Sequence, residues 1–327
     1  MQVDGQQPQL VVSQQGTARR VTLNRPEALN ALTFDMVRGL ARILAEWDAD
    51  PEVTLILLDA SGEKAFCAGG DVGRLYIEGR DGNTDFCATF WKENYDLNAQ
   101  IAGLATPFVA FMDGIVLGGG VGISSHGAIR VVTERTMLAM PECGIGLVPD
   151  VGVSALLAKL PEALAKYVAL TGLRLSGVDC IGLGLADWPV PSARMDALAE
   201  VLMCAGDAGP LESYTMAAEQ SGLGDISAAV ELAFAGQDVS KMQAKLAEQP
   251  GNWAERALKS LEGGSPTSQA LTLAMLKIAR TDNDLRRCLD RDLRAATYCM
   301  EHGDFLEGVR AAIIDKDRAP QWQEASR

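Results

Sequence analysis

The sequence predicts an α/β fold followed by a helical region, and two observations carry this. Up to about residue 150, short runs of β-branched and apolar residues alternate with segments whose apolar residues recur every three or four positions. Beyond that point the strand-like runs nearly vanish and successive segments favour helix. Continuous apolar strands separated by helices mark a sheet covered on both faces. A chain of 327 residues is long enough to bury a sizeable core. With 48% hydrophobic against 22% charged residues, it has the balance of an ordinary globular protein.

Taken in order, Leu10–Val12 and Val21–Leu23 flank Gln14-Gln15-Gly16-Thr17 and read as a hairpin. From Thr33, a suitable N-cap, Val37, Leu40, Ala41, Leu44 and Trp47 follow helical spacing. Val53–Leu58 is a buried strand. A glycine-containing loop from Ala60 to Gly73 then leads to a helix carrying Phe86, Phe90 and Ile101. Phe108–Met112 is another buried strand, running into Gly118-Gly119-Gly120, and Ile129–Thr133 and Met137–Ala139 supply two more. The later helices are broken at Pro189–Pro191, Gly206–Pro210, Gly236 and Gly263-Gly264, while Ser265-Pro266 places Ser at N-cap and Pro at N1. Charges alternate in sign between residues 281 and 318, the pattern of a solvated helical face. The Pro189–Pro191 turn divides a core over 1–190 from a helical region over 191–327.

With 29 Lys and Arg against 43 Asp and Glu, the net charge of −14 argues against a duplex nucleic-acid binder. An anionic small ligand needs only a local basic or dipolar pocket and is not excluded. The two histidines, His126 and His302, leave no His-rich zinc site and few candidates for a Ser-His-Asp triad, so acid–base chemistry falls to carboxylates. Seven scattered cysteines without a CxxC pair point to a reducing compartment. The N-terminus has no basic segment followed by an apolar one, and no stretch reaches the roughly 18 apolar residues of a membrane span. The expectation is a cytoplasmic protein with no metal, nucleic-acid or membrane partner.

About half of the 33 glycines lie between residues 61 and 152, where backbone must turn tightly or approach a ligand. There is no GxGxxG and no GxxxxGK[ST], so nucleotide-binding motifs are absent. Two small-residue clusters follow strands: AFCAGGD at 65–71 and Gly118-Gly119-Gly120. Together they are suited to point backbone N–H groups into one cavity as an oxyanion hole. A third segment, Met140 to Asp150, sets Glu142 and Asp150 among apolar residues, glycines and prolines. Burial there raises a carboxyl pKa and suits the group to act as base, acid or nucleophile.

These residues resemble the crotonase superfamily: VTLNRPEALNAL from Val21, AFCAGGD, the triple glycine and PE-x-x-IGL-x-PD from Pro141. The match continues through Ala169–Leu175, Ser265–Ser268 and Asp304–Arg310 to Ile314–Asp317. That tail resembles the branch that hydrolyses 3-hydroxyisobutyryl-CoA. The resemblance implies a spiral of ββα units with an extended helical C-terminal region. It also implies an acyl-CoA thioester as substrate, with CoA part of that substrate, no separate cofactor, and a homo-oligomer. It assigns the oxyanion hole to the N–H groups of Gly70 and Gly119. It makes Glu142 the principal catalytic carboxylate and Asp150 its partner. Ala28, Ala68, Gly69 and Asp71 would line the mouth for CoA, with Glu93 and Asn94 toward the acyl group. Two departures bear on the reaction. Hydratases carry a second glutamate two residues after the triple glycine, where this chain has Gly122, and this favours hydrolysis over hydration. The hydrolase branch often has acids at both 93 and 94, whereas here Asn94 replaces the second. Isomerisation of an enoyl-CoA, and acyl-CoA binding without catalysis, are the rival readings.

The remaining residues read as structural. Cys67 and Cys143 have no base near them in sequence and read as buried fillers, and His126 as a hydrogen-bonded structural residue. Trp91 and Tyr95 read as helix packing, and the Arg-rich stretch 286–294 as a solvated helix face.

Overall fold

A computed structural model describes residues 8–217 and 221–323 of the chain. Ten strands form among the described residues: β1 (Leu10–Gln15), β2 (Ala18–Leu23), β3 (Leu55–Ala60), β4 (Ala65–Cys67), β5 (Phe108–Met112), β6 (Ile115–Leu117), β7 (Ile129–Val132), β8 (Met137–Ala139), β9 (Leu175–Ser176) and β10 (Trp188–Pro189). From residue 191 on, the described elements are all helical. Compactness follows a different division. One body comprises Met1–Gly70, Asp96–Leu138 and Leu175–Ser221; the other comprises Asp71–Tyr95, Ala139–Arg174 and Gly222–Arg327.

The first body holds two sheets, with orders β1-β2-β3-β5-β7-β10 and β4-β6-β8-β9. In the larger, only the β1–β2 hairpin is antiparallel, its two-residue turn closed by Gly16 at φ 55°. The chain alternates between the sheets. β3, β5 and β7 lie side by side in the large sheet, and the strand following each, β4, β6 or β8, lies side by side with its counterparts in the small one. A helical segment follows each small-sheet strand: Val72–Arg80, Gly119–Ser125, and the 3₁₀ turn Glu142–Ile145. This is a repeated ββα unit. The AGGD segment, the triple glycine and Glu142 occupy the same position in successive repeats.

The central strands β3 and β5 of the large sheet are buried on both faces, while the edge strand β1 is exposed. Leu55, Leu57, Val109, Phe111 and Val131 on one face pack against Met195, Leu198, Ala199 and Leu202 of the helix Met195–Ala205, while Ile56, Leu58, Ala110 and Met112 are buried on the other. Leu198 has no exposed surface. Truncating such a core leucine to alanine costs about 2–5 kcal/mol. The expected strand Val53–Leu58 is displaced to Leu55–Ala60. Val53 instead closes a turn onto Asp50 O (3.0 Å), and Thr54 Oγ1 donates to Gly206 O (2.6 Å). At the other end Asp59 extends the pairing because Arg20 Nε (2.8 Å) and Thr22 Oγ1 (2.6 Å) satisfy its carboxylate. The loop expected over Ala60–Gly73 contains β4 and the start of the helix Val72–Arg80.

The second body is helical. Tyr167 packs against Phe234 and Trp253 in a cluster with Val230, Met242, Leu246 and Leu261. Ser265 caps the helix Pro266–Ala279 as expected, accepting from Ser268 N while its hydroxyl donates to Asp304 Oδ2 (2.6 Å). The alternating charges of 281–318 do not form a wholly solvated face: Asp292 and Asp304 are buried. In the helix Leu285–Glu301 the buried positions are Cys288, Leu289, Asp292, Ala295, Ala296, Cys299 and Met300. Asp292 therefore stands on the apolar stripe by its helical spacing. Arg291 is also drawn in, pairing with Asp282 at 3.0 Å.

Candidate active site

In the first body, β4 and β6 are parallel neighbours, so the turns that follow them emerge at one end of the small sheet. Ala68 N donates to Leu29 O (3.0 Å), and Leu32 N donates to Gly69 O (2.8 Å), tying the AGG turn to the segment 28–32. Ala28 ends the 3₁₀ turn Pro26–Ala28. Leu29 and Asn30 then take positive φ, 52° and 55°. Asparagine tolerates this conformation better than most residues. The Asn30 side chain fixes it here by donating to Ser61 O (3.0 Å) and Ala65 O (2.9 Å) and accepting from Arg25 N (2.8 Å). Gly69 needs its lack of a side chain, having φ 105°.

The two glycine turns meet. A Cβ on Gly119 would lie 3.2 Å from Gly70 N, and one on Gly120 would lie 2.3 Å from Cys67 O. The sequence thus permits an approach of backbone to backbone that side chains would prevent, with Gly70 and Gly119 side by side. Buried Cys67 has its thiol pushed up to about 12 by desolvation, the state of an inert filler. His126 closes the helix Gly119–Ser125.

The second body gathers the carboxylates. Glu142 opens its 3₁₀ turn after Pro141 and is 5% exposed; Asp150 is 6% exposed and Asp292 is fully buried. Burial raises Glu142 well above the usual carboxylate range, and the negative charge of Asp150 raises it further. Burial lifts Asp150 from 3.8 to about 6, against the downward pull of a hydrogen bond from Tyr95. Two carboxylates coupled in this way titrate as a pair. Glu142 Oε2 is buried without a hydrogen-bonding partner in the protein, leaving it available to a reacting group. Cys143, the neighbour of Glu142, is buried near Thr272 Oγ1 (3.4 Å), with its thiol pushed up to about 12 by desolvation.

Tyr95 is a correction to the sequence reading. It does not serve packing alone, because its hydroxyl donates to Asp150 Oδ2 at 2.7 Å. Trp91, one helical turn earlier, does pack, edge-on to Phe305 with centroids 5.6 Å apart. Asp292, hidden in a stretch read as solvated, accepts from Gly152 N at 2.7 Å. Spacing of four residues puts Trp91 and Tyr95 on one face, but no sequence signal links Tyr95 to a carboxylate 55 positions away. Of the residues assigned to substrate, Asp71 caps the helix Val72–Arg80 by accepting from Arg74 N (3.2 Å). Glu93 and Asn94 lie on the helix Thr84–Ala102, Glu93 half-buried and Asn94 buried with Oδ1 unpaired. Ala28, Ala68 and Gly69 belong to the first body, and Asp71, Glu93 and Asn94 to the second. Among the described residues, no group of three or more His, Cys, Asp or Glu side chains is placed to hold a metal ion, and no helix is long and apolar enough to cross a membrane.

The repeated ββα unit and its glycine turns have a counterpart among known proteins: residues 18–327 match the enoyl-CoA hydratase/isomerase family, and the chain belongs to it. The 3-hydroxyisobutyryl-CoA hydrolase, mitochondrial, of Rattus norvegicus is 39% identical over 97% of this chain and 85% of that protein. An enoyl-CoA hydratase from Rhodobacter sphaeroides 2.4.1 has a solved structure with a TM-score of 0.92 to this chain, at 39% identity and covering 97% of this chain and 93% of that one. A carnitinyl-CoA dehydratase from Mycobacterium thermoresistibile also gives a TM-score of 0.92, at 35% identity and covering 97% of this chain and 92% of that one.

Proposed function

We propose that this protein hydrolyses an acyl-CoA thioester, with 3-hydroxyisobutyryl-CoA, an intermediate of valine breakdown, as its substrate. The observation that carries the reading is the buried pair of carboxylates, Glu142 with Oε2 unpartnered in the protein and Asp150 held by the Tyr95 hydroxyl; burial raises the pKa of both, which suits them to acid–base work. The family match and the similarity to a protein named 3-hydroxyisobutyryl-CoA hydrolase support it.

In this reading the N–H groups of Gly70 and Gly119 hydrogen-bond the thioester oxygen and stabilise the charge it gains, a contribution of roughly 3–4 kcal/mol per donor at a preorganised site. Glu142 either attacks the carbonyl carbon, expelling CoA as thiolate and forming an anhydride that water opens, or takes a proton from the water that attacks. On both routes the C–S bond breaks, a C–O bond to water oxygen forms, and the products are the free acid and CoA thiol. Asp150, oriented by Tyr95, holds the 3-hydroxyl of the substrate or assists proton transfer. Ala28, Ala68, Gly69 and Asp71 line the mouth for CoA, and Glu93 and Asn94 contact the acyl group. No cofactor is needed, since CoA arrives with the substrate. A homo-oligomer in the cytoplasm completes the reading. The seven free cysteines support a reducing compartment, while the rat relative is named mitochondrial.

A second reading, hydration or isomerisation of an enoyl-CoA, is favoured by the two solved relatives named hydratase and dehydratase. It is disfavoured by Gly122, because adding water across a double bond uses two acid–base groups and this chain offers no side chain there. Incubation with 3-hydroxyisobutyryl-CoA and separately with a 3-enoyl-CoA, following free thiol and conjugated-enoyl absorbance, distinguishes them. Thiol release from the first substrate is expected. Conjugation of the second without thiol release from either would overturn the hydrolase reading, and CoA binding without turnover would make the protein a scaffold.

A further inference from the structure

Asp150 is followed by two residues in left-handed backbone conformation, Val151 at φ 53° and Gly152 at φ 74°. Glycine adopts this freely. For a β-branched residue it is a strained state that persists only where the surroundings enforce it. The turn is closed locally by Val153 N donating to Asp150 O (3.0 Å), and Gly152 caps the short helix Val153–Leu157 without any side-chain cap of its own. A distant side chain also grips this backbone: Asp292 accepts from Gly152 N at 2.7 Å across 140 residues of sequence.

Stability of the helix Leu285–Glu301 does not call for an acid at this position. Asp292 is fully buried on a stripe otherwise made of Cys, Leu, Ala and Met, and its Oδ1 has no hydrogen-bonding partner in the protein. A buried carboxylate with an unpaired oxygen is costly, and an apolar residue of similar volume is often at least as stable there. Burial and the nearby charge of Asp150 both raise the Asp292 carboxyl, while the Gly152 N–H and Arg291 oppose them.

We infer that Asp292 is a positioning residue: by accepting the Gly152 N–H it holds the strained Val151 turn, and so fixes the carboxylate of Asp150 where Tyr95 meets it. This rests on the proposed role of Asp150 in thioester hydrolysis, but the clamp itself is a matter of backbone geometry and is measured separately.

The test uses the full chain, labelled with ¹⁵N-glycine, as wild type, Asp292→Asn and Asp292→Ala. Asparagine keeps an acceptor without the charge, and alanine removes it. Amide exchange at Gly152 should quicken at least tenfold in Asp292→Ala and stay within threefold of wild type in Asp292→Asn. With 3-hydroxyisobutyryl-CoA, kcat should fall at least tenfold in Asp292→Ala with KM within twofold, and Asp292→Asn should restore most of it. Unchanged Gly152 exchange in Asp292→Ala, or equal losses of kcat in the two variants, overturns the clamp. If Asp292→Ala does not fold, the double variant Asp292→Ala/Val151→Gly, which removes the strain the clamp opposes, should fold and recover; failure of both to fold while Asp292→Asn behaves as alanine does also overturns it. Absence of thioesterase activity in the wild type refutes the functional reading alone, and the exchange arm still decides the clamp.

Discussion

Replacing Asp150 by asparagine should make the protein more stable, and by an amount that depends on pH. An acid whose pKa is higher in the folded than in the unfolded chain binds more protons when folded, so stability falls as pH rises through the interval between the two values. For Asp150 that interval runs from about 3.8 to about 6. Above it the whole difference is felt, and two pKa units correspond to about 3 kcal/mol. Asparagine mimics the neutral acid, so the penalty disappears. The gain should be about 1 kcal/mol at pH 4.5, where the unfolded carboxyl is mostly ionised and the folded one is not, and about 3 kcal/mol at pH 7.5. Relief of the repulsion on Glu142 adds in the same direction. Urea unfolding of both proteins at the two pH values reads this as a shift in midpoint at constant slope. A stability difference that is flat with pH, or a less stable variant at pH 7.5, would refute the claim that burial raises Asp150.

Other substitutions probe the turns and the hydroxyl. In Gly120→Ala the new methyl meets Cys67 O, a backbone atom, at 2.3 Å, whereas in Gly224→Ala it meets nothing within 4 Å. The first should destabilise by about 3 kcal/mol or more in urea unfolding, and the second should leave the melting temperature nearly unchanged. Gly119→Ala presses on Gly70 N at 3.2 Å. The same methyl meets the buried Leu32 Cδ1 at 3.2 Å, so thiol release should drop about a hundredfold, by more than the fraction of protein unfolded under the assay conditions accounts for, because the contact displaces a proposed donor. Tyr95→Phe removes the hydrogen bond that holds Asp150 down. The acidic limb of the kcat/KM–pH profile should then move to higher pH, and an unmoved or lowered limb would show that Tyr95 does not hold Asp150 down.

Much of the scaffold is legible in the sequence because its signals are local. Thr33 caps the helix Phe34–Asp48, Ser265-Pro266 opens the helix Pro266–Ala279, and Phe108–Met112 and Met137–Ala139 begin and end where their apolar runs do. Glycine density marks the turns whose backbones approach each other at Gly70 and Gly119. The apolar setting of Glu142 and Asp150 foretells burial and raised pKa values. What escapes is long-range. Tyr95 has the spacing of a packing residue, and only folding supplies Asp150 as its acceptor. Asp292 lies in a run of alternating charge, and the helical spacing that buries it is visible only if an acid is allowed on an apolar stripe. The two-residue shift of β3 depends on Thr54 meeting Gly206 and Asp59 meeting Arg20, contacts that no window of sequence contains.

Glu142 is tested most directly by thiol release from 3-hydroxyisobutyryl-CoA in wild type and in Glu142→Gln, with substrate binding measured on the same samples. Wild type should turn the substrate over, and Glu142→Gln should lose at least a thousandfold in rate with binding retained. Its melting temperature should be unchanged or raised, as the buried acid becomes neutral. Turnover by Glu142→Gln within tenfold of wild type would contradict a catalytic role for this carboxylate.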